Sequence, residues 1–203
     1  DFDPVTDRLR AVSNAEQNLR FDPDTGEVAA TDTNLAYAAG DPNAGANPNI
    51  VGISYNNNSF AANSTTLFGI DSAADILILQ GGHGGSPSPD DGQLFTIGPL
   101  GFDFSDEVGF DVAEDGGGAF ASVTQIGLPQ SALLTIDLST GQATFIGFIG
   151  NNDTIRALTA APYFFVNTAA DPGQDGVCNE VECTLRQAID AANGRLGVRD
   201  TIA

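Results

Sequence analysis

Short apolar runs alternate with turn-forming residues along most of the chain. Residues 76–79 (Ile-Leu-Ile-Leu) are continuously apolar, and residues 119–123 (Ala-Phe-Ala-Ser-Val) are mainly apolar. Gly, Asn, Asp and Pro bound these runs, which is typical of β-strands that end in turns. The pattern therefore predicts a mostly β fold made of short antiparallel strands.

One phrase of strand, tight turn and strand occurs three times. Its copies occupy residues 21–29, 70–79 and 136–145. In the first and third copies the turn has the form Asp-x-x-Thr-Gly, where the Asp side chain can cap the turn and Gly accepts the positive φ that closes it. The middle copy has Asp75 in place of that glycine, and Asp also tolerates the left-handed conformation.

An opening strand precedes each phrase, and residues 154–158 predict a fourth opening strand. The openings fall near residues 2, 53, 110 and 155, at roughly the 40–50-residue spacing of four-stranded propeller blades. We therefore expect a propeller-like repeat domain over residues 1–161.

The pattern changes in residues 162–203, which we expect to form a separate segment. Cys178 and Cys183 lie close together, as in a short-range disulfide formed in an oxidising compartment. Thr184 is a good N-cap for residues 185–192, whose apolar positions recur at helical spacing. The sequence thus predicts a disulfide-clipped segment with one short helix.

Acidic residues outnumber basic ones by 27 to 7, the net charge is −20, and every basic residue is Arg. The chain lacks the clustered cations that bind nucleic acid or an anionic membrane surface. No run approaches the ~20 apolar residues of a membrane span. The charge favours either a solubility coat on an extracellular protein or a surface that divalent cations screen or bridge.

One acidic segment has the spacing of a calcium loop. Asp171, Asp175 and Glu182 occupy positions 1, 5 and 12 of an EF-hand-like loop, with a helix predicted after it. Position 3 is Gly173, which offers no side-chain oxygen, so these acids could equally decorate a clipped turn. Two further acidic clusters offer the same ligand type: Asp22 with Asp24, and Asp111 with Glu114 and Asp115. Ca²⁺ is the only cofactor that the sequence suggests.

The chain offers few of the side chains on which common enzymes depend. It has one His, no Lys and two Cys that are predicted to be bonded, whereas acid–base and covalent catalysis rely largely on these residue types. Carboxylate pairs such as Asp90-Asp91 and Asp106-Glu107 could serve a hydrolase. Such pairs are also expected by chance among 27 acids, and the composition favours a protein that is not an enzyme.

Three motifs near the start of the chain follow one another closely. They are residues 6–13 (Thr-Asp-Arg-Leu-Arg-Ala-Val-Ser), 17–20 (Gln-Asn-Leu-Arg) and 23–26 (Pro-Asp-Thr-Gly). With residues 66–71 they resemble a bacterial secreted family known only as a domain of unknown function. The resemblance covers roughly residues 1–160. It implies secretion and a propeller-like β fold, and it implies no activity and no catalytic residues. In that family more repeats normally precede the phrase at residues 2–4, so the resemblance also implies further repeats upstream.

The tail resembles a different module. Residues 183–189 (Cys-Thr-Leu-Arg-Gln-Ala-Ile), followed by Ala192 and Asn193, are similar to the opening cap of secreted right-handed parallel β-helix domains. In those domains the short helix caps the first coil. The resemblance implies that such a coil would begin near Ala203.

These features together predict a non-enzymatic extracellular protein with a structural or adhesive role at a surface or in a matrix, assembling as the subunit of a filament. Its expected partners are further copies of itself or other surface proteins. An alternative is an extracellular binding module for a glycan or Ca²⁺. A carboxylate-based hydrolase is the third hypothesis.

Overall fold

The computed structural model describes most of the first 160 residues. The described ranges are 1–59, 62–113, 118–127, 130–151 and 153–160, and they fall within one unit, Asp1–Ala160. Their regular structure is β-strand apart from two short 3-10 turns, His83–Gly85 and Pro89–Asp91. No helix in these ranges is long and apolar enough to cross a membrane. The predicted segment 162–203, with its disulfide and helix, lies outside the described residues.

Sheet 1 is a meander of four antiparallel strands in chain order. Its strands are β1 (Phe2–Asp3), β2 (Arg8–Val12), β3 (Asn18–Phe21) and β4 (Val28–Thr31). The β3–β4 turn is closed by Asp22, whose carboxylate accepts hydrogen bonds from the amides of Asp24 and Thr25 at 3.0 and 3.2 Å. Gly26 in this turn has a φ of 73°, the positive value that the turn phrase predicts.

Sheet 2 contains a second antiparallel meander, extended at one edge by a short strand. The meander is β6 (Ile50–Tyr55), β7 (Leu67–Asp71), β8 (Ile76–Gln80) and β9 (Gln93–Pro99). The edge strand is β5 (Ala36–Tyr37), which pairs with β9 in parallel. Every residue of β7 and β8 is buried, as in a sheet that is covered on both faces.

Sheet 3 is a third meander of four antiparallel strands. Its strands are β10 (Phe104–Val112), β11 (Ala119–Gln125), β12 (Ser131–Ile136) and β13 (Ala143–Ile149). The cross-strand pairs Phe110↔Ala121 and Ala121↔Leu134 place these apolar side chains on one face. Gly109 and Ser122 pair on the opposite face, because successive residues of a strand alternate between faces.

Sheet 2 packs between the other two sheets. Its first strand, β6, contacts β10 of sheet 3 and both β1 and β2 of sheet 1. Phe68 and Leu77 of sheet 2 share an apolar core with Phe110 and Leu134 of sheet 3. On the side of sheet 1, a smaller apolar cluster of sheet 2 includes Ile78, and half-buried Val12 of β2 packs against it. The rest of that interface is polar.

All three strand–turn–strand phrases form hairpins, which confirms this part of the prediction. Asp75 takes the left-handed conformation with a φ of 54°, and Gly141 of the third copy has a φ of 82°. The copies are not all equivalent, however. The first and third phrases join the last two strands of their sheets, whereas the middle phrase joins β7 and β8, the second and third strands of its meander.

The prediction of a fourth opening strand at residues 154–158 is wrong. Residues 153–160 form no strand and instead cross the outer face of sheet 3. The amide of Ile155 donates to Ser131 Oγ on β12 at 2.8 Å, and its carbonyl accepts from Ser122 Oγ on β11 at 3.4 Å. These backbone groups bond to side chains of successive strands, so the segment runs across the sheet and cannot form a ladder with one strand.

Candidate functional site

The most extensive set of polar contacts in the described residues lies between sheets 1 and 2. We call it the Arg10 cluster. Its members are Arg10, Asn18, Arg20, Asp32, Tyr55, Gln80 and Asp90. They come from β2, β3, the loop after β4, β6, β8 and the second 3-10 turn. Six separate pieces of chain therefore meet at this cluster.

Arg10 is at the centre, with only 2% of its surface exposed. Its Nε donates to the hydroxyl of Tyr55 at 2.8 Å. Nη1 donates to Asn18 Oδ1 at 2.5 Å and to Asp32 Oδ2 at 3.1 Å, and Nη2 pairs with Asp90. A buried guanidinium is costly unless it is paired and hydrogen-bonded, and here all three nitrogens have acceptors.

Arg20 supplies a second positive charge beside the first. It binds Asp32 through two hydrogen bonds of 2.8 Å each and pairs with Asp90 at 3.0 Å. Burial favours the neutral form of Asp32, but the hydrogen bonds and charges of Arg20 and Arg10 outweigh it and hold the pKa of Asp32 below its usual range. Two carboxylates and two guanidiniums thus neutralise one another.

Side-chain amides extend the cluster towards sheet 2. Asn18 Nδ2 donates to the carbonyls of Thr33 and Pro89 at 3.2 and 3.0 Å. Gln80 Nε2 donates to Asn18 Oδ1 at 3.0 Å and to the carbonyl of Pro89 at 3.1 Å. Gln80 Oε1 is the only buried side-chain polar atom without a hydrogen-bond partner in the part of the chain that the structure describes.

The hydroxyl of Tyr55, which is uncharged, also contacts Arg10. Burial raises the pKa of its hydroxyl to about 12, although the charge and hydrogen bond of Arg10 act in the opposite direction. A phenol with this pKa stays protonated at neutral pH and is a poor general base. The arrangement is therefore suited to holding two sheets in one relative position, with its polar groups facing each other and not a ligand.

A second buried polar contact lies at the edge of sheet 2. The Tyr37 hydroxyl on β5 hydrogen-bonds to the carboxylate of Asp71 on β7. Asp71 also accepts from the amides of Asn49 and Ala73 at 3.1 and 2.8 Å. Burial, together with Asp71, raises the pKa of Tyr37 above its usual range. This contact holds the loop before β6 and the β7–β8 turn in place.

The carboxylate pairs that a hydrolase could use are engaged in structural contacts. Asp90 belongs to the Arg10 cluster. Asp106 accepts from Asn49 Nδ2 at 2.9 Å and from Ser72 Oγ at 2.7 Å, and Glu107 forms an ion pair with Arg156. These contacts of Asp90, Asp106 and Glu107 connect separate segments of the chain.

Among the predicted calcium ligands, only Asp22, Asp24 and Asp111 lie in described residues. Asp171, Asp175 and Glu182 lie outside the described residues, and so do Cys178 and Cys183. Glu114 and Asp115, from one of the further acidic clusters, also lie outside them. Within the residues described, no three His, Cys, Asp or Glu side chains are placed to hold a metal ion. The prediction of a Ca²⁺ site therefore stays a prediction.

Sequence analysis missed the Arg10 cluster, although one signal for it was present. Arg8 and Arg10 alternate with Leu9 and Ala11 in a predicted strand, in a chain with only seven basic residues. The motif around them carries the family resemblance, and nothing else in it indicates a structural site. The partners Asp32 and Asp90 carry no local signal, because Asp90 is 80 residues from Arg10.

Comparison with known proteins supports the family resemblance and adds no function. No curated protein matches this sequence. The family model described as "Domain of unknown function (DUF4394)" matches residues 1–159, which includes every described strand. The resemblance of the tail to a β-helix cap stays a prediction. With more than half of its length matched, the chain belongs to the family of the domain of unknown function DUF4394.

Proposed function

We propose that this chain is a non-enzymatic structural or adhesive protein of an extracellular surface or matrix. Its three sheets would be consecutive blades of a propeller-like repeat. Copies of the protein would associate with one another or with other surface proteins. The observation that carries the proposal is the Arg10 cluster, whose charged side chains bind one another between two sheets.

The arrangement of the sheets supports the propeller-like part of the proposal. Each sheet contains a four-stranded meander, which is the form of a propeller blade. The first strands of the three meanders, β1, β6 and β10, lie next to one another. Residues 153–160 cross sheet 3 from β12 to β10, as a chain does when it passes from the last strand of one blade to the first strand of the next.

The distribution of polar groups supports a structural role. An enzyme needs reactive groups aimed at a substrate, whereas the carboxylates of Asp32, Asp71 and Asp90 accept hydrogen bonds from Arg side chains, a Tyr hydroxyl and backbone amides of the same chain. The charge of −20 and the absence of Lys suit a protein that stays soluble without binding nucleic acid. These features favour a scaffold over a catalyst.

Locating the protein in the cells that produce it tests this proposal. Antibodies against the purified chain should label the cell surface or the surrounding matrix in immunogold microscopy. Fractionation should place the protein outside the cytoplasm, with a cytoplasmic enzyme as the control. Recovery of the protein mainly in the cytoplasmic fraction would contradict the proposal. Hits on a glycan array would favour the alternative of a binding module.

A further inference from the structure

The turn between β7 and β8 takes part in a polar junction between sheets 2 and 3. The carbonyl of Asp75 in this turn accepts from the amide of Leu100 at 2.9 Å, and its carboxylate accepts from the amide of Phe104 at 3.4 Å. The carbonyl of Leu100 accepts from the amide of Ala143, the first residue of β13, at 3.1 Å. We call these contacts the Asp75 junction. They connect sheet 2, the segment between β9 and β10, and sheet 3.

The charged side chains that the structure places next to the Asp75 junction are carboxylates. Asp71 ends β7, Asp103 directly precedes β10, and Asp106 on β10 accepts a hydrogen bond from the β7–β8 turn at 2.7 Å. The four Arg side chains of the described residues are paired elsewhere, three of them with acids around sheet 1 and one with Glu107. The negative charges at this junction therefore have no positive charge paired with them in the described part of the chain.

Asp75 occupies the position at which the other two copies of the turn phrase have glycine. Gly26 and Gly141 take a positive φ there at no steric cost. Asp75 has the same left-handed conformation, with a φ of 54°, which is unfavourable for a residue with a Cβ. The middle copy thus carries a charged side chain at a position where the backbone favours glycine.

Like charges oppose the closure of the Asp75 junction. Burial raises the pKa of Asp75 above its usual range, and the charges of Asp103 and Asp71 act in the same direction against the hydrogen bond from Phe104. Each of these effects disfavours the charged form of the Asp75 side chain. The contact that joins the β7–β8 turn to Leu100 therefore also brings carboxylates together, and their repulsion weakens the contact.

Dissolved salt relieves repulsion of this kind. The distance over which charges act is about 30 Å in about 0.01 M salt and about 3 Å in about 1 M salt. Among residues that the structure describes, no three acidic side chains are placed to coordinate a metal ion. Screening by ions in solution is therefore the mechanism to expect at the Asp75 junction.

We propose that the Asp75 junction is a contact sensitive to ionic strength, which closes in concentrated salt and opens more often in dilute solution. The Arg10 cluster on the other side of sheet 2 joins opposite charges, and salt weakens attraction as it weakens repulsion. The two interfaces of sheet 2 should thus respond to salt in opposite directions. This property belongs to the chain wherever the protein is located, so it stands or falls separately from the proposed function.

Hydrogen exchange of single amides, followed by nuclear magnetic resonance at constant pH, tests the proposal. The Leu100 amide reports on the Asp75 junction, and the Thr33 amide, which donates to the carbonyl of Asp90 at 3.1 Å, reports on the Arg10 cluster. Protection of Leu100 should rise roughly 5-fold between about 0.01 M and about 1 M NaCl, and protection of Thr33 should not rise. Equal rises at both amides, or no rise at Leu100, would overturn the proposal.

A matched pair of variants separates the junction from the net charge of the chain. Asp75→Asn removes the charge and keeps a side chain that tolerates the left-handed conformation. In about 0.01 M NaCl it should raise protection of the Leu100 amide by roughly 3-fold and reduce the response to salt. Asp7→Asn makes the same change at an exposed residue of sheet 1 with a φ of 53° and should leave both unchanged. Equal effects of the two variants would assign the salt response to net charge and contradict the proposal.

The partner charge is tested at Asp103, which is exposed, so that its replacement leaves the fold intact. Asp103→Asn should also raise protection of the Leu100 amide in dilute salt. In the double variant Asp75→Asn/Asp103→Asn, the gain should be smaller than the product of the two single gains, because the repulsion between the two carboxylates can be removed only once. Two fully independent gains would mean that these residues do not repel each other, against the proposal.

Discussion

Sheet 2 packs against a sheet on each side, and its two interfaces differ in the polarity of their side chains. Sheet 3 contacts it through apolar side chains, among them Phe68, Leu77 and Leu134. Sheet 1 contacts it mainly through the Arg10 cluster, where charged groups are bound to one another. Apolar burial is favourable in many relative positions of two sheets, whereas a hydrogen-bond network is satisfied in very few. We infer that the polar interface fixes the position of sheet 1 and that the apolar interface supplies most of the stability.

The largest effect is expected from removing the centre of the polar interface. Arg10→Met should lower the free energy of unfolding by about 4 kcal/mol, because it leaves buried partners of a charge pair uncompensated. Urea unfolding followed by circular dichroism measures the loss. Arg8→Met is the matched control, since Arg8 is exposed and pairs with Asp22 only at 3.5 Å; it should cost less than about 1 kcal/mol. Equal losses of unfolding free energy in Arg10→Met and Arg8→Met would contradict the inference that the Arg10 cluster fixes the position of sheet 1.

A slightly smaller effect is expected from a cavity in the apolar interface. Leu77 is completely buried in the core shared by sheets 2 and 3, and Leu77→Ala should lower the free energy of unfolding by about 3 kcal/mol. Leu133→Ala, at a half-buried position of β12, should cost about 1 kcal/mol. The same urea titration compares them. A negligible loss in Leu77→Ala would show that the apolar interface contributes little.

Acidification should weaken the polar interface selectively and by a smaller amount. The pKa of Asp32 is held below its usual range in the folded protein, so its contribution is fully present above the unfolded value of about 3.9 and is lost as the pH falls through the folded value. Urea unfolding between about pH 6 and pH 3 measures this dependence. Asp32→Asn should flatten the loss of stability on acidification relative to the original chain.

One comparison keeps this pH prediction specific. Leu77→Ala should shift the whole curve down without changing its slope, because no titrating group is removed. An unchanged slope in Asp32→Asn would mean that Asp32 does not carry the pH dependence of the polar interface.

The smallest effect on stability is expected from Ca²⁺, because a weakly bound ion adds little to the free energy of unfolding. If Asp171, Asp175 and Glu182 bind the ion, calorimetry should detect one weak site, in the range of roughly 10⁻⁴–10⁻³ M found in extracellular modules. Replacing the three by Asn, Asn and Gln should abolish the binding heat. Asp7→Asn, at an exposed carboxylate outside the predicted clusters, serves as the control. Persistence of the binding heat in the triple variant would place the ion elsewhere.

The features that sequence analysis predicted best are those encoded by neighbouring residues. The hairpins after Asp22, Asp71 and Asp137 follow from turn chemistry within a few positions, and in each of them the Asp carboxylate accepts from backbone amides of its own turn. Even the left-handed Asp75 could be anticipated. The turn residues of each hairpin set its register, so a short stretch of sequence is enough to predict it.

The features that sequence analysis missed depend on residues far apart in the chain. Strand β5 has two residues, and its place is set by pairing with β9. The alternation around Arg10 shows that β2 has two different faces, but the distant carboxylates of Asp32 and Asp90 determine that the polar face is buried. Residues 154–158 have the composition of a strand, yet their backbone bonds to Ser131 and Ser122 across a sheet.

One residue of sheet 3 connects three pieces of the chain. Asp111 accepts from Ser54 Oγ on β6 with one carboxylate oxygen, and from Thr159 Oγ1 and the amide of Ala160 with the other. The last described residues are thus fastened to the same side chain that bonds sheet 3 to sheet 2. The contact couples the release of residues 153–160 from sheet 3 to the separation of sheets 2 and 3, so both belong to one cooperative unit of local unfolding. Force applied to the chain beyond Ala160 would be transmitted through Asp111 into the contact between sheets 2 and 3.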